Sequence, residues 1–302
     1  MPLDRAALSA AMNASTFPVS AYRSAGPPIP NLVYRASGVP AETVKLGISA
    51  RRARVSSVDG IISIIREHFM STRFAGFPPE ALTFFRSLAR NNRREWFLPR
   101  KPLFEEKARQ PMGQLVECLN AGMKKFAPAY VTDPAKAIFR LYRDTRFSKD
   151  KTPYKDHIAA YFTRRGLCCG GGAGFYFSVS HKGVEVGGGI YMPSPEALLA
   201  IRNHIAIHHE DLRKIARARA IKTLFGELHG ERLTRPPKGF VKGHPAEDLL
   251  RFKQFLVFAE LPADLATTPA LYTELQKRFQ AMTPFIEFLN APLARPKKDL
   301  VI

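Results

Sequence analysis

The sequence predicts an α+β fold, an antiparallel sheet with helices packed before and after it. Three observations carry that reading. Apolar residues at helical spacing, opened by Pro or Ser and closed by Asn or Pro, lie on both sides of the middle of the chain. Between them the hydrophobic period shortens to two, first at Ile138-Phe-Arg-Leu-Tyr142. Residues 175–180 and 184–192 then flank His181-Lys182-Gly183, the pattern of a hairpin joined by a short Gly-containing loop. Helices segregated from such a sheet make an α+β domain.

Taken in order, residues 1–70 read as a flexible extension. Residues 11–40 are rich in Ala, Ser, Gly and Pro and hold no acid, while Ile61, Ile65 and Phe69 give residues 58–70 the stripe of one short helix. One domain follows at 74–290, then a basic tail at 291–302. Pro78-Pro-Glu80 opens a helix to about Arg90 with Leu82, Phe85 and Leu88 as its apolar face. Asn91-Asn92 ends it. A helix near Arg94-Glu-Trp-Phe97 is disturbed by Pro102, and a longer one after Pro111 carries Leu115, Cys118, Leu119, Met123 and Phe126. Residues 138–142 form a strand, 143–153 a polar loop, and 154–162 a strand or short helix. Gly187-Gly-Gly189 inside the second hairpin strand marks a bulge or a close approach. Ser194-Pro-Glu196 caps a long helix, helical pattern continues through 207–228, and further helices lie at 246–258 and 268–290.

The chain has 302 residues, 45% of them hydrophobic and 22 of them Phe, enough apolar surface for a real core. Three cysteines argue against a disulfide-stapled secreted domain. Cys118 reads as a core residue and Cys168-Cys169 as reduced thiols near a loop. No C-x-x-C or H-E-x-x-H supports a metal, and the sequence leaves the cofactor unknown. No apolar run is long enough to span a membrane and no secretory signal opens the chain, which points to the cytoplasm. The net charge of +20 favours nucleic acid, phosphate metabolites or other anions as partners. It leaves the oligomeric state open.

Residues 140–165 concentrate the candidate chemistry. Eight bases (Arg140, Arg143, Arg146, Lys149, Lys151, Lys155, Arg164, Arg165) stand against Asp144, Asp150 and Asp156. Such a loop suits anions, because Arg offers a planar fork and Lys a mobile point charge. Arg143, Arg146, Lys149, Lys151 and Lys155, with Arg94, are the anion-binding candidates. If the loop is catalytic, Asp144 is central. Lys151 would steady developing negative charge, Tyr154 would donate a proton or stack, and Glu95 would link the loop to a second cluster. That cluster is Asn91, Asn92, Arg94, Glu95 and Trp96. The ring and amides would line a base or sugar pocket, unless they serve as a helix end and core anchor. His157, just beyond the loop, is a lesser candidate.

Six ordered blocks resemble an uncharacterised bacterial and fungal family, domain of unknown function 2461. They are Phe77-Pro-Pro-Glu-Ala-Leu-Thr-Phe-Phe with Leu88-Ala-Arg-Asn-Asn-Arg-Arg-Glu-Trp-Phe97; Tyr142-Arg-Asp-Thr-Arg-Phe-Ser-Lys-Asp-Lys-Thr-Pro-Tyr-Lys155; Gly174-Phe-Tyr-Phe; Gly187-Gly-Gly-Ile-Tyr-Met-Pro193 with Arg202; Leu233-Thr-Arg-Pro-Pro-Lys-Gly-Phe240; and Leu249-Leu-Arg-Phe-Lys253. The resemblance spans about 74–290 and implies no activity. Three readings follow: a module recognising an anion such as phosphate, nucleic acid included; an enzyme acting on a phosphorylated or carboxylated small molecule around Asp144; or a protein-interaction module whose motifs are structural. A concave pocket joining Asp144, Arg146, Lys151 and Glu95 would favour the enzyme, a long convex basic stripe with Arg164, Arg165 and Lys238 nucleic acid, and internal salt bridges at both Arg143 and Arg146 the interaction module.

Overall fold

The computed structural model describes residues 74–146, 148–167 and 171–294. The extension at 1–70 with its helix at 58–70, the pair Cys168-Cys169 and the tail beyond residue 294 lie outside the described residues.

Helix α1 (Pro79–Arg90) starts where Pro79 supplies a preset φ and lacks only an N–H that the first turn leaves unbonded anyway. Ala81, Phe84, Phe85 and Leu88 make its buried face, so Phe84 takes the place expected of Leu82, which is half-buried. Asn91 closes the helix, its backbone N–H reaching the Leu88 and Ser87 carbonyls. The next stretch winds on through α2 (Arg94–Phe97), a 3₁₀ turn, α3 (Lys101–Phe104), a π-turn (Glu105–Arg109) and α4 (Gln110–Met123). Pro99, Pro102 and Pro111 each sit in the first turn of a new piece, which explains why the path changes pitch without stopping. A short α5 (Pro134–Ala137) is capped by the Asp133 carboxylate, which accepts from the Ala135 N–H at 2.8 Å.

The sheet is a four-stranded antiparallel meander of β1 (His157–Thr163), β2 (Gly174–Ser180), β3 (Val184–Ile190) and β4 (Phe255–Leu261), in that order. The hairpin at 181–183 forms as expected. Two expectations fail. Residues 138–142 are not a strand. They touch the β1 segment only at isolated bridges, Ile138 with Ala160 and Tyr142 with Tyr154, whose registers do not match. Between the two bridges three residues, 139–141, face five, 155–159, so a continuous ladder cannot form. The helix expected at 246–258 is only α8 (Glu247–Leu250), and the rest of that run is β4. Phe255, Leu256, Val257 and Phe258 are all buried, and an unbroken apolar run has no period that separates helix from strand.

Helices α6 (Pro195–Arg217), α7 (Arg219–Phe225) and α9 (Ala270–Asn290) complete the domain. Ser194 caps α6, its Oγ accepting from the Ala197 N–H at 3.2 Å. The core lies between one face of the sheet and α9. The Phe279 ring stands 5.6 Å from Phe162 and 5.0 Å from Phe175, centroid to centroid. Gly188 lets α9 come down onto β3, because a Cβ there would overlap Met282 and approach Ile286 Cδ1 to 2.8 Å. No helix among the described residues is long and apolar enough to cross a membrane.

Candidate functional site

The charged loop folds back on itself. Arg143 donates to the Asp150 carboxylate and the Thr152 hydroxyl, and the Thr152 N–H donates to Asp150 Oδ1 at 2.9 Å. Asp144 receives Arg146 three ways, from Nε at 3.0 Å, from Nη2 at 2.7 Å and from the backbone N–H at 3.2 Å. Lys151 Nζ donates to the Thr145 carbonyl at 2.8 Å. Hydrogen bonds from these arginines hold Asp144 and Asp150 at about 2, so both are acceptors and neither is a useful base near neutrality. Lys149 is exposed.

The second predicted cluster divides. Asn92 clamps the loop: its Nδ2 donates to the Tyr154 carbonyl at 2.8 Å and its Oδ1 accepts from the Tyr154 N–H at 3.0 Å. The link between the two clusters is thus this amide and not Glu95, which is exposed and makes no ion pair with Arg143 or Arg146. Asn91 bonds back to the Ser87 carbonyl as a helix end. Trp96 packs on Phe84, with the Arg100 guanidinium 4.6 Å from its ring centroid, and Arg94 is exposed. Tyr154 is buried, its ring centroid 4.3 Å from that of Phe97, and burial raises its phenol pKa.

Lys155 is different. It is only 5% exposed, and its ammonium has neither a carboxylate nor a hydrogen-bond partner among the described residues. It rests 4.9 Å from the centroid of the Phe139 ring. Burial, helped by Arg140 and Arg143, lowers its pKa to about 8.

Lys155 and Arg143 line a cleft of about 610 Å³ that also reaches Asn92. The turn end of the sheet lines the same cleft. Antiparallel register pairs His157 with Ser180, Ser178 with Glu185 and Glu185 with Glu260, so these side chains share a face. Asp156 is reached by His157 Nδ1 at 3.2 Å and by Lys182 Nζ at 3.3 Å. The His157 hydrogen bond holds the Asp156 carboxyl well below the usual range despite its burial. An ionised carboxylate can only accept, so Nδ1 carries the hydrogen. Nε2 is buried and has no hydrogen-bond partner. Across the sheet Ser178 donates to Glu185 Oε2 at 2.9 Å, and burial raises the Glu185 pKa. The cleft therefore sets a cationic wall beside groups able to move protons. Among the described residues no cluster of three or more His, Cys, Asp and Glu side chains could hold a metal.

Of the residues singled out from sequence, Asn92, Arg143, Tyr154 and Lys155 line the cleft. Asp144, Arg146, Lys149, Lys151, Asn91, Arg94, Glu95 and Trp96 do not. The cleft is also lined by His157, the lesser candidate, and by Asp156, Ser178, Lys182, Glu185 and Glu260, which the sequence does not mark as site residues. A signal for Ser178 and Glu185 existed, since aligning the predicted hairpin about His181-Lys182-Gly183 sets them opposite each other. No curated protein and no solved structure matches the chain. Residues 80–288, which contain the cleft, match the family model described as conserved hypothetical protein (DUF2461), and the chain belongs to that family.

Proposed function

We propose that the protein recognises a small anionic metabolite, carrying a carboxylate or phosphate, in the cleft beside Lys155. One observation carries the reading: a buried lysine without an acidic partner, next to Arg143 and within the field of Arg140. A desolvated cation that no protein carboxylate compensates is costly, and a bound anion is what relieves that cost. The cleft volume is in the range of small-ligand sites. Its concave shape and the internal pairing of Arg143 and Arg146 favour one small molecule over a nucleic-acid strand. The proton-moving groups of the same cleft make an enzyme the extension of this reading. A cytoplasmic setting, where such metabolites are made and thiols stay reduced, goes with it.

The test is a thermal-shift and calorimetric panel of inorganic phosphate, acetate, lactate, citrate and sugar phosphates, with chloride at matched ionic strength as reference. At least one anion should stabilise the protein, and Lys155→Met should remove that effect while staying folded. If none stabilises more than chloride, the anion-site reading is wrong.

A further inference from the structure

We infer that Lys155 is a covalent amine, which condenses with an anionic metabolite that also carries an aldehyde or ketone, the 2-oxo acid class, to form a Schiff base inside the cleft. This rests on the anion-site reading and deepens it. Among the described residues Lys155 is the lysine that is buried. Other lysines with assigned partners are held charged or engaged: Lys182 by Asp156, Lys253 by Glu231, Lys107 by Glu106, and Lys151 by a carbonyl. Nothing among the described residues holds Lys155 protonated: the charges that act on it are the cations Arg140 and Arg143, and its ammonium lies against the Phe139 ring. Burial beside another cation is how proteins prepare a nucleophilic lysine. Its pKa of about 8 leaves a usable fraction of free amine near neutrality.

The division of labour follows from the groups that line the cleft. Arg143 keeps guanidinium donors beyond the Nη1 that serves Asp150 and Thr152, and these suit the ligand carboxylate. Lys155 Nζ gives its lone pair to the carbonyl carbon, and the first of its two protons passes to the carbonyl oxygen, which becomes a hydroxyl. That hydroxyl takes the second nitrogen proton and leaves as water while the C=N bond forms, so both protons of the amine end on the departing oxygen. His157 lines the same cleft with an unpartnered Nε2 and its Nδ1 held by Asp156, and it is the group placed to carry that proton. The step needs no external oxidant or reductant, and addition of water reverses it.

The experiment treats the full chain with glyoxylate and sodium borohydride, then reads intact mass and peptide maps. Reduction of the imine fixes one added unit, glyoxylate less one oxygen. Lys155 should be labelled on the order of tenfold or more faster than exposed lysines. Glycolate, which has the carboxylate but no carbonyl, should protect it. Lys155→Met should lose the rapid label, Lys253→Met, outside the cleft, should keep it, and His157→Gln should slow labelling without changing its final extent. If glyoxylate and glycolate both stabilise the fold but Lys155 labels no faster than surface lysines, the covalent inference fails and the anion site stands. If neither stabilises and neither labelling nor protection appears, both fail. Unchanged labelling in His157→Gln removes the proton-transfer role alone.

Discussion

Lys155 carries an energetic signature that can be measured without knowing any ligand. The unfolded chain releases this proton near the ordinary 10.5, the native chain at about 8. Between those values the unfolded state binds more protons, so this group makes stability rise with pH across that window. Below about 8 the penalty is present in full, and it amounts to at most about 3 kcal/mol. Methionine keeps the length of the side chain without the charge. Lys155→Met is therefore expected to be more stable than wild type at pH 7, with a lead that shrinks by pH 10, as read by denaturant unfolding of both proteins. A lead that does not change with pH would mean that the burial of Lys155 is not coupled to its charge. Asn92 offers a contrast at the same scale. Removing its amide leaves the Tyr154 N–H and carbonyl without their partners, so Asn92→Ala should cost about 1–3 kcal/mol. Asn91→Ala loses only one bond at a helix end and should stay within about 0.5–1 kcal/mol. Equal losses at the two positions would contradict the clamp.

Strand β3 shows how an element makes room for its neighbours. Its three glycines admit neighbours on different sides. At Gly188 a Cβ would meet side chains of α9, Met282 and Ile286, which can give way in part. At Gly189 the backbone has φ +126°, and a Cβ would run into the Phe255 carbonyl of β4. Gly188→Ala should thus cost about 1–3 kcal/mol by overpacking, while Gly189→Ala adds backbone strain and a clash with main chain and should cost more. Thermal unfolding of the two variants tests the order, and a milder Gly189→Ala would show that the β3–β4 pairing shifts easily. These glycines were legible in the sequence as a place of close approach, and so was the hairpin, because turn residues and strand alternation are local signals. What was not legible depended on partners far along the chain. Strand β4 looks helical until β3 is there to pair with it. Residues 138–142 look like a strand until their neighbour sets five residues against three of theirs. The site divides the same way: the sequence flagged the crowd of bases, but which of them are neutralised depends on side-chain geometry. Arg143 and Arg146 found acids within seven residues, whereas Lys155 turned inward and found none.

Across the molecule the charge of +20 poses a separate question, whether the surface itself is a phosphate-binding face. Any protein so basic will associate with RNA or DNA at low salt, through release of counterions and without specificity. The useful measurement is which residues the association depends on. Arg146 is engaged by Asp144, and the Lys151 ammonium is tied to the Thr145 carbonyl, so neither reaches outward as a free point charge. The double substitution Arg146→Gln, Lys151→Gln removes two formal charges from this loop. If that loop is an internally braced wall of the cleft, the affinity for short labelled RNA and DNA should change by less than about threefold, and the slope of log K against log salt by less than about one contact. Lys155→Met should likewise leave nucleic-acid binding alone while abolishing the response to small anions. A loss of tenfold or more in the folded double variant, with a flatter salt slope, would instead make the loop a phosphate-contacting surface and bring nucleic acid back as the leading partner. The pairing geometry favours the first outcome, because releasing Arg146 to a phosphate breaks a three-bond contact with Asp144 and leaves that carboxylate facing the same anion.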